Sequence, residues 1–88
     1  MIVTAELSLY PLADDYLRTI KAFIENLNEQ AGLTVVTNAM STQIRGESPV
    51  VFRAVEQLLN RSAEQFEDQV LVCKFIPKPL AIDAEVEL

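Results

Sequence analysis

Along residues 2 to 10, apolar and polar positions alternate without a break. Val3, Ala5, Leu7 and Leu9 fall on one side; Ile2, Thr4, Glu6, Ser8 and Tyr10 fall on the other. A period of two predicts a β-strand, here with one dry side and one mixed side. Pro11 has no N–H with which to extend a ladder and predicts the strand's end. The period then changes. Tyr16, Ile20, Phe23, Ile24 and Leu27 recur at three- and four-residue spacing, the apolar stripe of a helix. Asp14 or Asp15 can cap its first turn and Gly32 supplies a stop, which predicts a helix over about residues 14–31.

The second half repeats this grammar. Leu33 to Thr37 is rich in β-branched residues and predicts a second strand. Asn38 and Ala39 turn the chain, and Ser41 to Arg45 returns antiparallel as a third. In Gly46-Glu47-Ser48-Pro49, Ser48 is a cap and Pro49 suits the first helical position, where its missing N–H costs nothing. Val51, Phe52, Val55, Leu58, Leu59, Ala63 and Phe66 supply the apolar face of a helix over about 49–66. Val70 to Ile76, apolar almost throughout, predicts a fourth strand with both faces in need of cover. Pro77 and Pro79 break it. In the tail, Leu80, Ile82, Ala84, Val86 and Leu88 alternate with Ala81, Asp83, Glu85 and Glu87. That pattern predicts an extra C-terminal strand along a sheet edge of this chain or of a neighbouring subunit; a frayed terminus is the alternative.

The order β-α-β-β-α-β predicts an α+β, ferredoxin-like sandwich. Right-handed crossovers place both helices on one face of a four-stranded antiparallel sheet, with the first and third strands central. We expect one domain over residues 1–88, with a core at 2–76 and an extension at 77–88. The helix-free face would carry Ile2, Tyr10, Val70, Val72 and Ile76, an apolar patch of the kind that marks an interface or a groove.

Half of the 88 residues are apolar, yet a chain this short buries only about 60% of its unfolded surface. Burial between copies, as a homodimer or homotetramer, is therefore expected. The net charge of −6 disfavours nucleic acid and anionic membranes, since both reward basic patches and the Lys and Arg residues here are scattered. No apolar run approaches the roughly 20 residues that span a bilayer, and no signal peptide is evident; a cytoplasmic location is expected. Cys73 is alone, which leaves no disulfide framework and suggests a small buried hydrophobe.

The chain has no histidine, no Cys-x-x-Cys and no Gly-rich phosphate loop. That removes the common nucleophile–base catalysts and predicts neither metal nor cofactor. The carboxylate pairs Asp14-Asp15 and Glu67-Asp68 sit at helix ends, where capping and solvation account for them. Glu6 is different: it lies mid-strand on the helix-free face, where a charge needs solvent, a cation or a donor-rich ligand. Asn38, Ser41, Thr42 and Gln43 offer donors and acceptors without acid–base power. Such a set suits a flat heteroaromatic ring, with Met40 or Tyr10 packing against it; ordinary turn chemistry is the plainer account.

Two segments, Thr4-Ala5-Glu6-Leu7-Ser8-Leu9-Tyr10-Pro11-Leu12 and Met40-Ser41-Thr42-Gln43-Ile44-Arg45-Gly46, resemble the two signatures of the MTH1187/YkoF-like family of small thiamine-binding proteins. The spacing of elements is similar over residues 2–76. The resemblance implies a ferredoxin-like protomer that assembles through its sheets and binds thiamine or its hydroxymethylpyrimidine moiety without catalysis. By position it places Glu6, Ser8, Met40, Ser41 and Thr42 near the ligand; Asn38 joins them on chemical grounds. Ser41, where that family often has Gly, and the acidic extension are departures. Two rival readings remain: a structural or regulatory self-association module without a small-molecule ligand, and a small enzyme on the same fold, which the lack of a nucleophile–base pair disfavours.

Overall fold

The strand periodicity of residues 2–10 is realised as β1 (Ile2–Pro11), followed by α1 (Tyr16–Asn28), β2 (Thr34–Thr37), β3 (Thr42–Glu47), α2 (Ser48–Gln65) and β4 (Gln69–Ile76). These come from a computed structural model, which describes residues 1–12, 16–65 and 68–84. The predicted caps Asp14 and Asp15, together with Phe66, Glu67 and residues 85–88, lie outside the described residues. The sheet has the order β2-β3-β1-β4, with every neighbour antiparallel. This is the ferredoxin-like α+β arrangement, with the first and third strands central.

The alternation of β1 divides the sheet as expected. Val3, Ala5 and Leu7 meet Phe23 and Leu27 of α1 and Val51, Val55 and Leu58 of α2, with Ile44 of β3, in one buried cluster. Register sends Thr4, Glu6, Ser8 and Tyr10 the other way, opposite Ile76, Lys74, Val72 and Val70 of β4. The five apolar residues expected on the helix-free face are therefore on it, and Tyr10, Val70 and Val72 are about half exposed in the single chain.

Helix details depart from the sequence expectation. α1 ends at Asn28 rather than about residue 31. The Asn28 amide donates to the Ile24 carbonyl, and the Gln30 N–H reaches Leu27 rather than the residue four back, so the last turn tightens before Gly32, which takes a φ of +82°. On α2, Phe52 and Leu59 stand outside the core, while Ala54 and Ser62 occupy it. Phe52 instead stacks on Phe75 of β4 with ring centroids 4.7 Å apart, and Ser62 hydrogen-bonds Gln69. Gly46 is more than punctuation. A Cβ there would lie 2.7 Å from the Gly32 carbonyl oxygen and 2.9 Å from Leu33, so glycine is what lets β3 pass the end of the α1–β2 connection.

The tail corrects a further expectation. Its described part, residues 77–84, forms no strand. It crosses the helix-free face as a strap. The Thr4 hydroxyl donates to the Lys78 carbonyl at 2.9 Å and accepts from the Leu80 N–H at 2.9 Å. Thr4 is 3% exposed as a result. Arg45 of β3 donates to the Leu80 carbonyl and to both oxygens of Asp83. Prolines 77 and 79 lack ladder donors, so the hydroxyl of a strand residue and a guanidinium hold the strap in place of a β-ladder. No helix among the described residues is long and apolar enough to cross a membrane.

Candidate ligand-binding site

Glu6 sits at the middle of β1 because nine consecutive residues hold the alternation, and the register then fixes its neighbours. Gln43 pairs with it on β3 and Lys74 on β4. Its carboxylate accepts a hydrogen bond from the Ser41 hydroxyl at 3.0 Å and lies 3.4 Å from the Lys74 ammonium. Gln43 donates to the Ser41 oxygen at 2.7 Å, and Asn38 donates to the Gln43 carbonyl oxygen at 3.3 Å. One polar chain thus runs from β4 across β1 to the β2–β3 turn. The Glu6 side chain is 41% exposed and that of Lys74 74%, so their attraction is a rim contact, worth about 0–1 kcal/mol. Its use is in orienting the carboxylate.

The turn itself is built by Asn38. Its side-chain oxygen accepts from the Met40 and Ser41 N–H groups at 2.9 and 3.1 Å, an Asx turn that presents Met40 and Ser41 beside β1. Met40 is 87% exposed. Beyond this turn, a hollow of about 320 Å³ on the helix-free face is lined by Glu6, Ser8, Tyr10, Met40, Ser41, Val72 and Lys74. That volume lies at the lower end of small-molecule sites, which run from about 300 Å³ upward. A second hollow, of about 200 Å³, lies on the other side of the turn against Ile20, Phe23 and Ile24 of α1.

Of the six residues singled out in the sequence, Ser8, Asn38, Met40, Ser41 and Thr42 line the helix-side hollow, and Glu6 joins Ser8, Met40 and Ser41 at the larger one. Thr42 points to the helix side, is 4% exposed, and shares a hydrogen bond with Thr37. Asn38 lines the helix-side hollow, with its oxygen held by the turn. Lys74 and Val72 were not singled out as site residues. Pairing the first strand with the fourth would have found both, because Lys74 falls opposite Glu6 and Val72 opposite Ser8. Among the described residues no group of three or more His, Cys, Asp or Glu could hold a metal ion.

Fold and hollow together define a ferredoxin-like protein with a polar recess on the helix-free side of its sheet. The model of the YKOF-related family matches residues 2–76, and the chain belongs to that family. No curated protein matches it in sequence. Several solved structures are similar in fold, three of them as follows. One, from Thermotoga maritima, is provisionally assigned to thiamine biosynthesis or salvage; it is 20% identical with a TM-score of 0.82, over 94% of this chain and 92% of that one. A protein of Streptococcus pneumoniae is 22% identical with a TM-score of 0.82, over 94% of each chain. A domain of unknown function from Bacillus cereus is 24% identical with a TM-score of 0.79, over 94% of this chain and 85% of that one. At these identities the likeness establishes the fold alone, and one fold hosts many functions.

Proposed function

We propose that this chain binds thiamine or its hydroxymethylpyrimidine moiety without transforming it, and that it does so as a homodimer or homotetramer whose helix-free sheet faces meet. The reading is supported by membership of the YkoF-related family and by the thiamine assignment of the Thermotoga maritima neighbour. The observation that carries it is the 3.0 Å hydrogen bond from Ser41 to Glu6. It joins the two signature segments, which are 35 residues apart, at one hollow.

The chemistry fits. An exocyclic amino group donates to the Glu6 carboxylate, and the Ser41 hydroxyl turns from Glu6 to a ring nitrogen. Tyr10 and Met40 offer an aromatic face and a thioether to the rings. The chain as a whole, at a net charge of −6, disfavours an anionic compound, while at the recess itself Lys74 balances the Glu6 carboxylate. The Ser41 hydroxyl does rest on the Glu6 carboxylate at 3.0 Å, but a carboxylate paired with Lys74 is a weak base toward a hydroxyl, so binding rather than turnover is the expected outcome. A hollow open on one side is also what a second sheet would roof, and the exposed Tyr10, Val70 and Val72 supply apolar surface for that contact.

Isothermal titration calorimetry with thiamine and with hydroxymethylpyrimidine tests the reading. We expect saturable heat with the wild type and a loss of about tenfold or more in Glu6→Gln, since a charge-assisted hydrogen bond contributes about 1.5–3 kcal/mol. An absence of heat and of thermal shift at millimolar ligand would reject it.

A further inference from the structure

The strap lies outside the residues matched by the family, and it overhangs a hollow that stays partly open. Beneath it is a hollow of about 180 Å³ walled by Ile76, Leu80 and Ile82 and by Thr4, whose hydroxyl is already bonded to the strap backbone. Glu6 and Lys74 line this hollow and the polar one alike, so that pair borders both spaces. Every charge at its margin has a partner: Glu6 with Lys74 at 3.4 Å, and Arg45 with Asp83 at 2.8 Å. An ionic occupant would find no uncommitted counter-charge there and would lose its hydration against aliphatic walls. An uncharged ring loses little and gains the burial. The size is also that of one ring: a fully enclosed aliphatic cavity of about 150 Å³ takes up benzene, and this partly open hollow is of similar volume.

We infer that the strap-covered hollow is a binding compartment for a small uncharged ring, or for the methyl-bearing edge of one, and that it forms with the polar hollow a single two-part groove. The ligand class is a ring compound with hydrogen-bonding groups at one end, read by Glu6 and Ser41, and an apolar edge at the other, enclosed by Leu80 and Ile82. The compartment rests on its own geometry; only the identity of the polar end rests on the thiamine reading.

The test is a methyl-detected NMR titration of the full chain with toluene as the uncharged probe, run beside one with hydroxymethylpyrimidine. The compartment predicts saturable toluene shifts at the Ile76, Leu80 and Ile82 methyls. It also predicts affinity about tenfold weaker in Ile82→Ser, which removes apolar wall from a half-buried position of the strap. The Thr4→Val variant, which releases the strap and leaves the sheet intact, should weaken toluene binding too. Toluene shifts that are absent, or confined to other sites such as Phe52 and Phe75, overturn the compartment. Pyrimidine shifts at Met40 without a toluene response at the strap overturn it and leave the ligand reading standing. The reverse pattern keeps the compartment and overturns the ligand reading.

Discussion

Replacing Thr4 with valine should release the strap without unfolding the domain. Valine keeps the β-branched shape that a central strand favours and fills nearly the same volume, so the change subtracts a hydroxyl and little else. That hydroxyl makes two hydrogen bonds, to the Lys78 carbonyl and from the Leu80 N–H, each 2.9 Å long. A net bond contributes about 0.5–1.5 kcal/mol, and a polar group left buried and unpaired costs about 1–3 kcal/mol. The strap has an escape. By lifting from the sheet, its Leu80 and Lys78 backbone groups regain water, so the loss cannot exceed the free energy that docks the strap. We expect docking to weaken by about 1–2 kcal/mol, which makes opening about 5–30 times more frequent. Native-state hydrogen exchange reads this at the Leu80 amide, whose protection should fall by at least that factor, since its acceptor goes with the hydroxyl, while amides of β1 and β3 keep theirs. Unchanged Leu80 protection, or a fall shared equally by the whole sheet, would refute the reasoning.

Three other outcomes follow from the same contacts. Gly46→Ala should destabilise the domain by about 1–3 kcal/mol in urea unfolding, because its Cβ would press on the backbone oxygen of Gly32, which cannot rotate away. Hydrogen bonds, from the Arg45 guanidinium first and from a backbone N–H second, hold the Asp83 carboxyl below the usual carboxylate range, with the Arg45 charge adding less. A depressed value in the docked state means that strap docking has its full strength above the free-carboxylate pKa of about 3.9 and loses it as pH falls through the lowered value; Leu80 protection, taken relative to the intrinsic exchange rate at each pH, should fall in acid for the wild type and stay flatter in Asp83→Asn. Val72→Asp, at a half-exposed position on the helix-free face, should leave the protomer folded by circular dichroism and lower the mass seen by light scattering, and an unchanged mass would count against assembly through that face.

Much of this architecture was legible because periodicity is a direct image of burial. The alternation of β1 placed Val3, Ala5 and Leu7 in the core and Glu6 opposite them, as observed. Helix spacing was less decisive. Phe52 and Leu59 share the apolar rhythm of α2, yet they sit one step round the helix from the core, and only the position of Phe75 at the sheet's edge explains why Phe52 is where it is. The buried Thr19 and Ser62 carry no hydrophobic signal at all. The tail misled because alternation describes which side a residue faces, not what pairs with its backbone. Leu80 and Ile82 do turn toward apolar surroundings, but Thr4 and Arg45 supply the hydrogen bonds that a neighbouring strand would have made.

The candidate site shows the same division. The resemblance to the family's two signatures pointed to Glu6, Ser8, Met40 and Ser41, which share one recess. Thr42 faces the helix side and meets Ser8, Met40 and Ser41 at the second hollow, a facing that depends on where the turn ends and β3 begins. Lys74 was hidden for a different reason: a lysine in an apolar strand reads as an edge residue until the register puts its ammonium beside the Glu6 carboxylate.

The most direct measurement is a crystal structure of the full chain grown or soaked with hydroxymethylpyrimidine. The account predicts a ring beside Met40 and Ser41, with its amino group on the Glu6 carboxylate and a second sheet closing the recess. A ring seated elsewhere, or a recess filled by the partner's side chains, would contradict it.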